Sequence, residues 1–252
     1  MQLFIRCFRI ISTFLYEVFF MGKIVALGGG RFDNGEMYEV ACHITEKTGK
    51  KHPYMVFLPT AGADDIAGDE YILSTFSSLG CVTDVLFLLH DITDKSVIDY
   101  KLSNADIIYV GGGNLKLLMD TLKKTGTDKL LHEAFDRGCV LCGASSGAMC
   151  WFNRGYDDCG PEHSFVFVDC LGILPYTNCP HYQSENWQTF AQAVKTQEYS
   201  GIACDNGAAI CFEDGVWYTV SGNEDGDCYF YDAEKDFAVT NLNEFPDALI
   251  QL

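Results

Sequence analysis

From Lys23 onward the chain alternates short apolar runs with stretches whose apolar residues recur at helical spacing. A short continuous apolar run closed by turn residues reads as a strand buried on both faces. Recurrence every three to four residues reads as an amphipathic helix. On that basis Lys23 to Leu27 is a strand ending in Gly28-Gly29-Gly30, and Glu36 to Lys47 is a helix. Tyr54 to Leu58 is the next strand, closed by Pro59-Thr60-Ala61-Gly62, before a helix around Asp69 to Leu79 and a strand from Val82 to Leu89. Ala105 to Val110 runs into Gly111-Gly112-Gly113-Asn114 and a helix from Leu115 to Lys124. A helix from Lys129 to Arg137, a strand from Cys139 to Cys142 and a small-residue helix from Ala148 to Phe152 follow.

Strands alternating with helices predict an α/β domain, doubly wound, with a mostly parallel sheet and helices on both faces. In such sheets ligands bind at the carboxyl ends of the strands, where the glycine-rich turns collect. After the apolar run Leu171 to Leu174, a polar helix is expected from Glu185 to Lys195, and few strands between residues 145 and 181. Ala208 to Glu213 and Val216 to Val220 flank Asp214-Gly215 as a C-terminal antiparallel hairpin, with a further strand near Cys228 to Tyr231. With no linker or internal repeat, residues 21–252 read as a single domain. Residues 2–20 are apolar but carry Arg6, Arg9 and Glu17. Their uncharged run falls short of the roughly 20 residues that span a bilayer, so residues 1–20 are expected to be an extension outside the fold.

Composition narrows the partners. A chain of 252 residues, 48% hydrophobic, can bury a sizeable core. Its formal charge of -18, from 35 acidic against 17 basic residues, repels nucleic acid and anionic membranes, so neither is expected as a partner. Twelve cysteines would suggest disulfides in a short secreted chain. Here Cys139, Cys142, Cys204 and Cys211 lie inside apolar runs, which fits buried free thiols in a reducing cytoplasm. Cys139 and Cys142 stand three apart on a strand and so point to opposite faces, which argues against a shared metal.

The chemistry centres on Gly143-Ala144-Ser145-Ser146-Gly147. It fits the G-x-S-x-G nucleophile elbow, with a strand before it and a helix after it. Ser145 Oγ would stand at the helix N-terminus, where partial positive charge favours a developing anion. An ordinary glycine-rich turn with two capping serines is the bland alternative. The second turn, Gly111-Gly112-Gly113-Asn114, shifts the balance toward function. Its unshielded amides, those of Gly112 and Gly113 above all, could join the Ser146 N–H as an oxyanion hole. Neither that turn nor Gly28-Gly29-Gly30 continues as a dinucleotide fingerprint or a P-loop, so phosphate binding is a weak signal.

Of six histidines, His43 and His132 sit in helical patterns and His52 in a basic loop, while His90 ends a strand. His163 and His181 follow the serine. His181 stands above the rest because Asn178-Cys179-Pro180 closes an apolar segment and the rigid proline fixes the chain before it.

The set Val110-Gly111-Gly112-Gly113-Asn114, Gly143-Ala144-Ser145-Ser146-Gly147-Ala148 and Pro180-His181-Tyr182 resembles the dipeptidase E and cyanophycinase family of serine peptidases, over roughly Lys23 to Val220. The resemblance implies a fold like the class I glutamine amidotransferases. It also implies Ser145 as nucleophile, His181 as base and a glycine of the Gly111–Gly113 turn as oxyanion donor. The family's histidine-orienting glutamate corresponds to the segment Ala203-Cys204-Asp205-Asn206-Gly207, with Asn206 at the best-matching position and Asp205 beside it, which leaves Asn206 or Asp205 as third member. A family aspartate after the serine corresponds to Asp157 or Asp158. Asn114 and Gln183 are candidate substrate contacts. The family's aspartyl dipeptidases hold the substrate with an arginine after the histidine. Gln183 to Gln188 contains no basic residue here, which argues against strict aspartyl specificity. The expected activity is hydrolysis of peptide or isopeptide bonds in small peptides, with no metal or organic cofactor, and a homodimer is compatible with the pattern. An esterase or amidase with the same site, or an inactive small-molecule binder, are the alternatives. A general α/β-hydrolase, with Asp157 or Asp158 between serine and histidine, is a weaker one.

Overall fold

A computed structural model describes residues 22–89, 94–222 and 226–244. The expected extension at 1–20 and His90 lie outside the described residues. Five parallel strands form the centre of one sheet: β1 (Lys23–Leu27), β2 (Tyr54–Leu58), β3 (Val82–Val85), β4 (Ile107–Val110) and β5 (Val140–Ala144). Between them run helices α1 (Tyr38–Glu46), α2 (Glu70–Ser78), α3 (Lys95–Asn104), α4 (Leu115–Thr125) and α5 (Thr127–Asp136). The hairpin β10 (Ala208–Glu213) and β11 (Val216–Ser221) adds antiparallel to β1, giving the order β11-β10-β1-β5-β4-β2-β3.

Successive residues of the central strands go to alternate sides. Ile24, Ala26, Val56, Leu58, Ile108, Val110 and Leu141 pack on one face with Leu102, Leu118 and Leu131 of α3 to α5. Val25, Leu27, Met55, Phe57, Ile107, Tyr109 and Val140 pack on the other with Val40, Ile44 and Phe76 of α1 and α2. Strands buried on both sides read as unbroken apolar runs, which is why their ends could be read so closely. Cys139 falls in the first cluster and Cys142 in the second, on opposite faces. Every described cysteine is a free thiol.

Three segments differ from expectation. The strand from Val82 stops at Val85, because β2, its pairing strand, ends at Leu58; Phe57 O accepts the Leu86 N–H, and the final carbonyl, Leu58 O, is taken by the Gly111 N–H instead. The helix after Ser145 is the single turn α6 (Ser146–Met149), and Phe152 already opens a strand. Met149 to Phe152 is wholly buried, and such a run does not tell helix from strand by periodicity. The segment 185–195 is broken into 3-10 turns around the short helix α7 (Phe190–Ala193).

The larger difference is a second sheet, in the order β13-β12-β9-β8-β6-β7. Its strands are β6 (Phe152–Asp157), β7 (Val166–Asp169), β8 (Leu174–Cys179), β9 (Gly201–Cys204), β12 (Cys228–Asp232) and β13 (Ala238–Asn241). Three of these lie between Ser145 and His181, where few strands were expected. Their sequences carry Arg154, Asp157, Asp169, Pro175 and Asn178, and the one apolar run among them, Phe165 to Val168, is only four residues long. They are strands because they pair and because Phe152, Leu174, Ile202 and Phe230 join the first core cluster.

Candidate active site

β5 lies between β1 and β4, so the residue that follows it stands over the middle of the parallel sheet. That residue is Ser145, with φ 57° and ψ −121°. A non-glycine residue held there stores about 1–3 kcal/mol of strain. The surroundings impose it. The Ser145 N–H donates to Leu27 O at 3.2 Å, and Ser145 O accepts from the N–H groups of Ala148 and Met149 at 2.9 and 3.0 Å. A Cβ at Gly143 would lie 2.5 Å from Gly147 O, and one at Gly147 would lie 1.9 Å from Val110 O. The flanking glycines are therefore what lets β5, α6 and β4 close on the serine.

Ser145 Oγ is 2.9 Å from His181 Nε2, and His181 Nδ1 is 2.6 Å from Asn206 Oδ1. An amide oxygen only accepts, so Nδ1 carries the proton and Nε2 presents its lone pair to the serine hydroxyl. His181 also has positive φ (53°) and is anchored by its N–H to Gly28 O at 2.8 Å. The Trp187 ring meets the imidazole edge-on, with centroids 5.1 Å apart. Asn206 is held from behind, its N–H donating to Gln183 Oε1 at 2.8 Å.

Gly112 and Gly113 are exposed, and a Cβ on Gly112 would be 3.2 Å from Ser145 Cβ. Neither amide donates to a backbone carbonyl among the described residues, so both remain available beside Ser145. Ser146 N–H opens a helix and has no partner within it. The Ser146 side chain donates to Gly113 O at 2.7 Å and lies 3.3 Å from Asp157 Oδ2, which ties the glycine turn to β6. Burial raises the Asp157 carboxyl, against the lowering effect of Cys159 and Ser146. Among the described residues no group of three or more His, Cys, Asp or Glu side chains could hold a metal ion.

With this geometry in view, comparison with known proteins is direct. The sequence profile of peptidase family S51 matches residues 24–219. The uncharacterized peptidase YgaJ of Bacillus subtilis (strain 168) is 34% identical over 215 residues, covering 83% of this chain and 91% of that protein.

The chain belongs to peptidase family S51.

It is thus a peptidase of the serine class. Peptidase E of Escherichia coli O6:K15:H31 (strain 536 / UPEC) is 26% identical over 171 residues, 66% of this chain and 72% of that protein. In fold, the S51 chain resembles a peptidase from an acI-B1 Actinobacterium with a TM-score of 0.66, at 20% identity over 88% of this chain and 93% of that one. No helix among the described residues is long and apolar enough to cross a membrane.

The other expected site residues fall as follows. Of the pair Asn206 and Asp205, only Asn206 touches the imidazole. Asp205 is buried and turned to β12, where its Oδ2 accepts from the Asp227 N–H at 3.2 Å and the Tyr229 hydroxyl at 3.5 Å. Burial raises its carboxyl. Asp157 lies behind the Gly111–Asn114 turn, whereas Asp158 is exposed just past β6. Asn114 Oδ1 caps α4 through the Leu117 N–H at 2.8 Å, and Gln183 Oε1 is engaged by Asn206. Each therefore uses its carbonyl oxygen within the protein. His43, His52 and His132 bond Tyr218, Gly80 O and Leu171 O, away from Ser145.

Sequence reasoning missed Gly29. A Cβ there would be 2.1 Å from Asn206 Oδ1 and 2.6 Å from His181 Nδ1. The Gly28-Gly29-Gly30 turn is a seat for the histidine–asparagine couple and not a phosphate cradle. The available signal was a triple glycine after the first strand with no phosphate fingerprint behind it.

Proposed function

We propose that this S51 chain hydrolyses peptide or isopeptide bonds of small peptides through an acyl-enzyme on Ser145. His181 Nε2 takes the Ser145 proton as Oγ bonds to the substrate carbonyl carbon. The resulting oxyanion is held by the amides of Gly112, Gly113 and Ser146. The tetrahedral intermediate collapses, the C–N bond breaks, and Nε2 returns the proton to the leaving amine. Water then repeats the sequence on the ester and frees the serine. Asn206 fixes the imidazole tautomer but, being neutral, does not balance the charge of the imidazolium. The observation that carries this reading is the chain Ser145–His181–Asn206, at 2.9 and 2.6 Å, beside two exposed glycine amides. With no arginine between His181 and Lys195, this reading does not include strict specificity for aspartyl dipeptides.

The test is mass spectrometry after treatment with a fluorophosphonate, beside the Ser145→Ala variant. One adduct on Ser145, absent from the variant, is the expected result. A folded protein that takes no adduct would overturn the reading and favour a binding protein, to which the uncharged Asn206 lends some support. Labelling together with hydrolysis of acyl esters but no peptides would make it an esterase.

A further inference from the structure

A cavity of about 360 Å³ opens between the loop after β1 and the loop before α2, with Arg31, Phe32, Asp33, Asp69, Tyr71 and Ile72 in its walls. The loop after β1 reaches the histidine, and the loop after β2 reaches the Gly111–Asn114 turn. Gly30, which also lines the cavity, follows the Gly29 that abuts His181. On the other side, Ala61 O accepts the Asn114 N–H at 2.8 Å, and a Cβ on Gly113 would be 2.2 Å from that same oxygen. Neither this cavity nor a larger one of about 480 Å³ around Arg154 and Asp169 has Ser145, His181 or Asn206 in its walls, but only the smaller one includes a residue of the Gly28-Gly29-Gly30 turn.

The charges in the smaller cavity are not equivalent. The Arg31 guanidinium engages both oxygens of Asp33, through Nε at 2.8 Å and through its second contact with Oδ2, so its charge is already answered. Asp69 has no such partner. Its side chain does not cap α2 and takes part in no hydrogen bond or ion pair among the described residues. It is half-buried, and burial, reinforced by the charges of Glu70 and Asp65, pushes its carboxyl up to about 6. Leaving a half-buried carboxylate unpaired is unfavourable unless a ligand supplies the cation. The neighbouring groups are aromatic. Tyr71 is 53% exposed, and Phe32 packs against Tyr109 and Phe76. A carboxylate without a cationic partner beside aromatic faces suits an organic cation, and the described residues offer no group of three or more His, Cys, Asp or Glu able to hold a metal ion.

We propose that this cavity is a substrate subsite that binds a cationic group of the peptide, an α-ammonium or a basic side chain, against Asp69 and the Tyr71 ring. The proposal rests on the peptidase reading above. It makes substrate choice in this chain a matter of a positive charge held beside β1, with no need for an arginine after His181.

Binding and turnover are tested apart. Titration of the catalytically blocked Ser145→Ala protein uses matched short peptides, N-acetylated or free at the amine and with lysine or glutamine at one position. At least one cationic member should bind about tenfold more tightly than its neutral match, with the member identifying the source of the charge. Adding Asp69→Asn should bring that ratio to about one, and Asp69→Glu should restore most of it. A ratio near one in the Ser145→Ala protein, or one that survives Asp69→Asn, overturns the subsite. Since this readout needs no hydrolysis, a failure of the fluorophosphonate reaction would count against the peptidase mechanism alone.

Discussion

Replacing Gly29 by alanine isolates the contact that seats the His181–Asn206 pair. The added Cβ would stand 2.1 Å from Asn206 Oδ1 and 2.6 Å from both Cε1 and Nδ1 of His181. Comfortable contacts begin near about 3.5 Å, so the imidazole, the amide or both must retreat by roughly 1 Å. That movement takes the 2.6 Å Nδ1–Oδ1 hydrogen bond toward its limit and swings Nε2 away from Ser145. A misplacement of about 1 Å at reacting groups costs on the order of a hundredfold in rate. Gly29 also has φ +143°, so alanine adds backbone strain of about 1–3 kcal/mol. Gly49→Ala supplies the control, since Gly49 has φ +64° but no atom within 4 Å of its would-be Cβ. The assay is the second-order rate of fluorophosphonate labelling at Ser145, with circular dichroism to show that each variant is folded. Gly29→Ala should label about a hundredfold more slowly than the parent, and Gly49→Ala at the parental rate with about 1–2 kcal/mol less stability. A folded Gly29→Ala that labels as fast as the control would refute the reasoning.

Further outcomes follow from the same geometry. Gln183→Ala removes the acceptor of the Asn206 N–H and should slow labelling by about three- to tenfold, whereas Gln183→Glu, which keeps an acceptor oxygen, should stay near the parental rate. Ser146→Ala frees Gly113 O from its 2.7 Å hydrogen bond and should cost about 1 kcal/mol of stability along with a loss in turnover, read by denaturant melts and peptide kinetics. Asp69, with its carboxyl raised to about 6 by burial, binds its proton more readily folded than unfolded. Its contribution to stability is therefore present below about pH 4 and lost as pH rises through about 6. Asp69→Asn should melt higher than the parent at pH 7.5, by about 1 kcal/mol once screening of the half-exposed group is allowed for, with the difference vanishing near pH 4. Equal melting temperatures across that range would contradict it.

Much of the parallel core was legible in the chain because its signals are local. Lys23–Leu27 and Tyr54–Leu58 are unbroken apolar runs closed by glycine or proline, and a strand buried on both faces needs no more information than that. The elbow around Ser145 is local too, since Gly143 and Gly147 must be small for β5 and α6 to approach. Together these residues determined a parallel α/β sheet with a serine at its carboxyl edge. Of the second sheet only the strand near Cys228 to Tyr231 was legible, because β6, β7 and β8 become strands only by pairing with one another and with β9. Between Asn206 and Asp205 the resemblance favoured Asn206, but nothing local in the chain decides it, as neighbours on one turn point opposite ways and the packing of β9 on β12 decides which faces His181. Gly29 and Asp69 acquire their meaning in space alone. One glycine is required by atoms 152 and 177 positions further along the chain, and the carboxylate stands apart because every other charge in its cavity already has a partner.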